Sequence, residues 1–103
     1  MKIAYLILAH QHPNHLRRLV GAISSPSSVC FIHIDQKSKL EDFLPIVSEH
    51  VVLTKQRVAV HWGDFTVVEA TLVLMRQALA DPRQFGRFVL LSGTDYPLRS
   101  ATA

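Results

Sequence analysis

The stretch Phe88-Val89-Leu90-Leu91-Ser92-Gly93-Thr94-Asp95-Tyr96-Pro97-Leu98-Arg99 decides how the chain is read. Its first four residues are apolar without alternation, the pattern of a strand covered on both faces in the middle of a parallel sheet. Ser92, Gly93, Thr94 and Asp95 then bring in small polar groups and a carboxylate, and Pro97 stops further pairing. Ligands of open α/β sheets lie outside the carboxyl ends of the strands. If residues 88–91 form an inner strand of such a sheet, the other strands must also end in polar clusters on the same edge.

Working outward, each apolar run meets that condition. Ile3 to Ala9 reads as a buried strand ending at His10. Pro13 suits the first turn of a helix, and Leu16, Leu19, Val20 and Ile23 follow at helical spacing, predicting a helix from Pro13 to Ile23. Val29 to Ile34 is a second strand, ending in Asp35, Gln36 and Lys37. Ser38 and Glu41 have capping-box spacing, with Leu40, Phe43, Leu44 and Val47 on one face, but Pro45 predicts a short or kinked helix. Val51 to Leu53 is a short third strand that leaves Thr54, Lys55, Gln56 and Arg57 at its end.

Thr66 and Glu69 form a second capping box ahead of the best helix in the chain, Thr66 to Ala80. Val68, Leu72, Met75 and Leu79 make one stripe, Val67, Thr71, Leu74 and Ala78 lie beside it, and Asp81-Pro82 ends it. Strand and helix alternate throughout. That order predicts an α/β fold: an open, mostly parallel, Rossmann-like sheet with flanking helices and right-handed crossovers. His10, Asp35 with Lys37, Thr54 to Arg57, and Ser92 to Asp95 would then share one edge.

Composition bounds the function. The 103 residues are 49% hydrophobic and 18% charged, enough for one domain with a buried core. The net charge of +3 is spread without a basic stripe or interleaved aromatics, so no nucleic-acid partner is expected. A small anionic ligand such as a nucleotide suits that balance. The single cysteine, Cys30, lies in an apolar run and reads as a buried small hydrophobe. Ile3 to Ala9 is too short to span a bilayer and lacks a cleavage pattern. The chain is therefore expected to have no signal peptide or transmembrane helix, and to be cytoplasmic or peripherally membrane-associated.

The chemistry narrows by motif. His10, His12 and His15 raise a metal-dependent hydrolase, but no carboxylate lies near them in sequence. No Asp-x-Asp pair, P-loop, Gly-x-Gly-x-x-Gly or serine nucleophile elbow occurs. No metal and no cofactor are expected. Asp35 either accepts hydrogen bonds from a base or ribose, or caps a turn with Lys37 as its surface partner. Trp62-Gly63 either walls a ligand or covers the end of the core. Asp95 sits in a tight turn whose backbone donors face the same cleft. A non-catalytic Rossmann-like binding domain is the alternative of a different class.

Four segments together carry a resemblance: Ala4-Tyr5-Leu6-Ile7-Leu8-Ala9-His10; His33-Ile34-Asp35-Gln36-Lys37-Ser38; Trp62-Gly63 followed by Ala70-Thr71-Leu72; and Leu90-Leu91-Ser92-Gly93-Thr94-Asp95-Tyr96-Pro97-Leu98-Arg99. In this order the chain resembles the amino-terminal part of the core-2/I-branching N-acetylglucosaminyltransferase family, which includes the peptide O-xylosyltransferases. Asp64 departs from the pattern, since the family often has a second glycine after Trp-Gly.

The resemblance implies a GT-A-like nucleotide-sugar domain and metal-independent, inverting transfer from a UDP-sugar donor to a glycan or other hydroxyl acceptor. The donor is UDP-N-acetylglucosamine or UDP-xylose. It implies that Asp35 holds the uracil or ribose, with Lys37 beside it. Main chain around Ala9 and His10, and from Val60 through Trp62 and Gly63, lines the nucleotide. The Ser92, Gly93 and Asp95 turn lies toward the sugar and pyrophosphate. The family's catalytic base is a glutamate further along, expected beyond Ala103. Residues 1–103 are accordingly expected to be the donor-binding part of a glycosyltransferase domain, incomplete at the carboxyl end, inactive alone, and with an edge left open at the fourth strand.

Overall fold

A computed structural model of the chain describes residues 2–61 and 64–92. Strand β1 spans Ile3–Ala9, helix α1 Pro13–Ile23, strand β2 Ser28–Ile34, strand β3 Val51–Leu53, helix α2 Thr66–Ala80 and strand β4 Arg87–Ser92. The sheet order is β3-β2-β1-β4, and every neighbouring pair is parallel. The fold is therefore the expected α/β sheet, and the carboxyl ends of its strands share one edge.

Register explains the layers. Tyr5, Ile7 and Ala9 of β1 and Cys30, Ile32 and Ile34 of β2 pack with Leu16, Leu19, Val20 and Ile23 of α1. The intervening residues Ala4, Leu6, Leu8, Val29 and Phe31 pack with Ala70, Leu74 and Ala78 of α2. Both faces of β1 and β2 are covered, which is why these strands read as mainly apolar runs without alternation. Burial holds the Cys30 thiol up at about 12, the state of an inert core residue.

Four expectations need correction. The polar-ended run at residues 88–91 is not an inner strand among the described residues. It lies at the edge, and Phe88 and Leu90, which face the α2 side opposite Ala4 and Leu6, are exposed, Leu90 by 51%. Val89 and Leu91 pack against the α1-side core instead. On α2, the stripe of Val68, Leu72 and Leu79 points outward, and Leu79 is 67% exposed. The inward face is Ala70, Val73, Leu74 and Ala78, with Met75 only partly covered. Both faces of α2 are apolar, so periodicity alone did not choose between them.

The remaining corrections concern helix starts. After β2 the chain makes two 3-10 turns, Leu40–Asp42 and Leu44–Ile46, with Pro45 inside the second. Leu40, Phe43 and Ile46, three apart, face the core, while Leu44 and Val47 are exposed. Neither proposed capping box forms. Ser38 donates to the His10 carbonyl oxygen rather than capping a helix. Thr66 is the first residue of α2, and its hydroxyl accepts from the His61 amide at 2.8 Å.

The two faces of α2 make opposite predictions. Leu74→Ala should lower the unfolding free energy by about 2–5 kcal/mol, because Leu74 is fully buried. Leu79→Ala should change it by no more than about 0.5 kcal/mol. Urea unfolding of both variants measures the difference, and equal losses would place the stripe of Leu79 in the core.

Candidate functional site

A buried parallel strand ends with main-chain groups that its neighbours no longer pair, so the loops at the carboxyl edge must supply partners. At the end of β2 they come from three directions. The Asp35 amide donates to the Ala9 carbonyl at 2.8 Å, extending the β1–β2 ladder by one bond. The Asp35 carboxylate is 3% exposed as a residue and turns back on its own loop. Its Oδ1 accepts from the Lys37 amide at 3.0 Å and from the Val60 amide at 3.4 Å. Lys37 Nζ lies 3.7 Å from Oδ2 and donates to the Val60 carbonyl at 2.7 Å. Because the Lys37 side chain is 54% exposed, solvent screens that ion pair, and the main-chain bonds hold the carboxylate in place.

The loop after β3 is fastened by more than Asp35. Arg57 donates from Nε to the Ile34 carbonyl at 3.0 Å, and from Nη2 to the Asp35 and Ser38 carbonyls at 2.8 and 2.7 Å. The Gln36 amide donates to the Val58 carbonyl at 3.1 Å, and the Val58 amide donates to His33 Nε2 at 2.8 Å. Ser38 then carries the connection to the His10 carbonyl after β1. Three carboxyl-edge loops are thus joined through one turn, residues 35–38.

His33 is buried in β2, and burial is the main reason its pKa lies below the usual imidazole value. The nearby Asp35 carboxylate opposes that shift, and the Arg57 guanidinium adds to it. As acceptor of the Val58 amide, Nε2 must be unprotonated, which places the hydrogen on Nδ1. Nδ1 has no hydrogen-bond partner among the described residues.

The structure brings together five of the sequence-predicted site residues: Ala9, His10, Asp35, Lys37 and Val60. Ser92 ends β4 opposite Leu8, at the same edge of the sheet. Trp62, Gly63, Gly93 and Asp95 lie outside the described residues. Of the two roles open to Asp35, the turn cap with Lys37 is present, and the carboxylate also fastens Val60. Two open hollows lie elsewhere on the described surface, and none of Ala9, His10, Asp35, Lys37 and Val60 lines them. One, of about 510 Å³, is lined by Arg57, Val58, Glu69, Leu72 and Arg76 among others. The other, of about 520 Å³, is lined by His12, Pro13, Asn14, His15 and Arg18 at the start of α1.

His12 adopts a left-handed φ of 60° just before Pro13, which turns the chain from β1 into α1. Among the described residues, no group of three or more His, Cys, Asp or Glu is arranged to hold a metal ion. No helix among them is long and apolar enough to cross a membrane.

Sequence reasoning missed Arg57, His33 and Ser38 as the connectors of the site. Arg57 is one of four polar residues after β3, and nothing in composition separates it from Lys55. The signal for His33 was present: an imidazole inside a fully apolar strand needs a partner, and the partner is a loop amide.

In open α/β sheets of this kind, ligands lie outside the carboxyl ends of the strands, the edge that these bonded polar loops occupy. Residues 3–103 match the family model of the Core-2/I-Branching enzyme, and the chain belongs to that family. Its relatives are named as glycosyltransferases. The chain is 29% identical over 95% of its length to the mouse protein named beta-1,3-galactosyl-O-glycosyl-glycoprotein beta-1,6-N-acetylglucosaminyltransferase 3. It is 27% identical over 95% to the Danio rerio transferase of that series numbered 4, and 26% identical over 95% to a bovine herpesvirus 4 protein of the same transferase name. In these two vertebrate relatives the match covers 24% of the longer protein.

The buried imidazole makes stability depend on pH. Its pKa is lower in the folded chain than the ordinary 6.5, so the unfolded chain binds more protons as pH falls through that value. The contribution of neutral His33 is complete above pH 6.5 and declines as pH drops toward the lowered folded value. Unfolding free energy should therefore fall between pH 7 and pH 5, and His33→Gln, which keeps an acceptor for Val58, should lose less over that range. Urea unfolding at both pH values checks this, and an equal loss in both proteins would contradict it.

Proposed function

We propose that residues 1–103 form the donor-binding part of a core-2/I-branching glycosyltransferase domain, and that the carboxyl-edge cluster takes a UDP-sugar, either UDP-N-acetylglucosamine or UDP-xylose. The observation that carries this reading is the bonded set Ala9, His10, Asp35, Lys37 and Val60, which gathers three strand ends of a family member at one edge. Main-chain groups at Ala9, His10 and Val60 border the uridine. Asp35 meets base or ribose through Oδ2, because Oδ1 is taken by the Lys37 and Val60 amides, and Lys37 offers an exposed ammonium to the phosphate side.

In the inverting transfer proposed for the whole enzyme, the acceptor oxygen bonds to the anomeric carbon as the bond from that carbon to the UDP oxygen breaks. The acceptor's proton passes to a base, and the electron pair leaves with UDP. Glu41, Glu49 and Glu69 match no family base, so neither the base nor the cationic groups that stabilise the departing diphosphate are assigned among residues 1–103. Donor binding, with little turnover, is the activity proposed for this chain, and a glycan hydroxyl is the acceptor proposed for the whole enzyme.

Amide NMR spectra recorded during titration with each UDP-sugar, with and without chelator, test this. Chelator-insensitive shifts at His10, Asp35, Lys37 and Val60 are expected, and Asp35→Asn should weaken binding about tenfold through loss of a charged acceptor. Binding that requires added metal, or that leaves these amides unmoved, would overturn the proposal.

A further inference from the structure

Arg57 is unusual among the charged residues of the site because its hydrogen bonds among the described residues all go to main-chain carbonyls. Its Nε and Nη2 reach three carbonyl oxygens, those of Ile34, Asp35 and Ser38, within 3.0 Å. Among the described residues it makes no ion pair with a carboxylate. Those carbonyls bracket the turn on both sides. The Asp35 carbonyl also accepts the Ser38 amide at 2.9 Å, so the guanidinium and the turn's own closing bond share one oxygen.

The consequences run outward from that turn. Fixing Ile34, Asp35 and Ser38 sets where the Asp35 carboxylate leaves the backbone, and hence where it meets the Lys37 and Val60 amides. It also sets Ser38, whose hydroxyl reaches the His10 carbonyl after β1. Removing the guanidinium would leave three carbonyl oxygens converging at a strand end without their shared donor. A lysine keeps the charge but presents an ammonium rather than a planar fork, so it cannot reproduce the same edge-on approach to all three oxygens.

We propose that Arg57 is the positioning residue of the donor rim: it binds no substrate itself but holds the 35–38 turn so that Asp35, Lys37 and the His10 carbonyl keep one arrangement. This inference rests on the reading of that rim as the UDP-sugar site. Its alternative is a loop staple whose loss lowers stability without changing the rim.

The two are separated by amide spectra and UDP titrations of the unmodified chain, Arg57→Lys and Arg57→Ala, each with and without millimolar ethylguanidinium. The proposal expects Arg57→Lys to keep the strand amides of Ile7 and Ile32 in place while the Lys37 and Val60 amides shift. UDP affinity should fall about tenfold or more, the scale of losing bonds to a charged donor. In Arg57→Ala, ethylguanidinium should restore the Lys37 and Val60 positions and part of the affinity. Should Arg57→Ala fail to fold, Arg57→Lys decides alone. Variants in which Lys37 and Val60 stay unmoved, or in which UDP affinity is unchanged, overturn the proposal. If UDP does not bind the unmodified chain, the donor reading fails, and the Lys37 and Val60 shifts still decide whether Arg57 sets the turn.

Discussion

The structure depends on how the carboxyl end of β2 is satisfied. A strand buried on both faces cannot leave its last carbonyls and its first loop carboxylate unpaired without cost. Asp35 resolves this by accepting two main-chain amides, one from its own turn and one from the loop after β3. Arg57 covers the carbonyls, and His33 takes the remaining loop amide. The buried apolar faces below set the sheet, but this polar seam sets the shape of its edge. Function and stability meet at the same atoms, since the groups that close the loops are those that border the proposed donor.

Most of the fold was legible because β1 and β2 are apolar along most of their length and each stops at a polar residue, His10 or Asp35. Pro13 and Asp81-Pro82 marked helix limits that the structure keeps. What failed had a common cause. Phe88, Leu90, Val68, Leu72 and Leu79 have the side chains of interior residues yet lie on the surface of this chain. Side-chain chemistry reports what a position suits, whereas exposure depends on which neighbours are present. The capping boxes failed differently: Ser38 and Thr66 found loop partners, at His10 and His61, that spacing within a helix cannot reveal.

The site was half legible. Strand-end reasoning gathers His10, Asp35 and Lys37, because parallel strands leave no other place for them. It does not disclose that the loop after β3 folds across them, since the bonds that bring it there join residues more than twenty positions apart. The stretch spans about a quarter of the length of the mouse relative, and the outer face of α2, with Val68, Leu72 and Leu79, is apolar and exposed.

The central claim is that the loop after β3 is bonded to the turn after β2 as one unit. Hydrogen exchange of the Val58 and Val60 amides in the unmodified chain tests it most directly, because both lie in irregular backbone and, among the described residues, their acceptors are His33 and Asp35. Exchange slowed to the range of the β2 amides is predicted. Exchange at the rate of an open loop, with β2 still protected, would contradict the account.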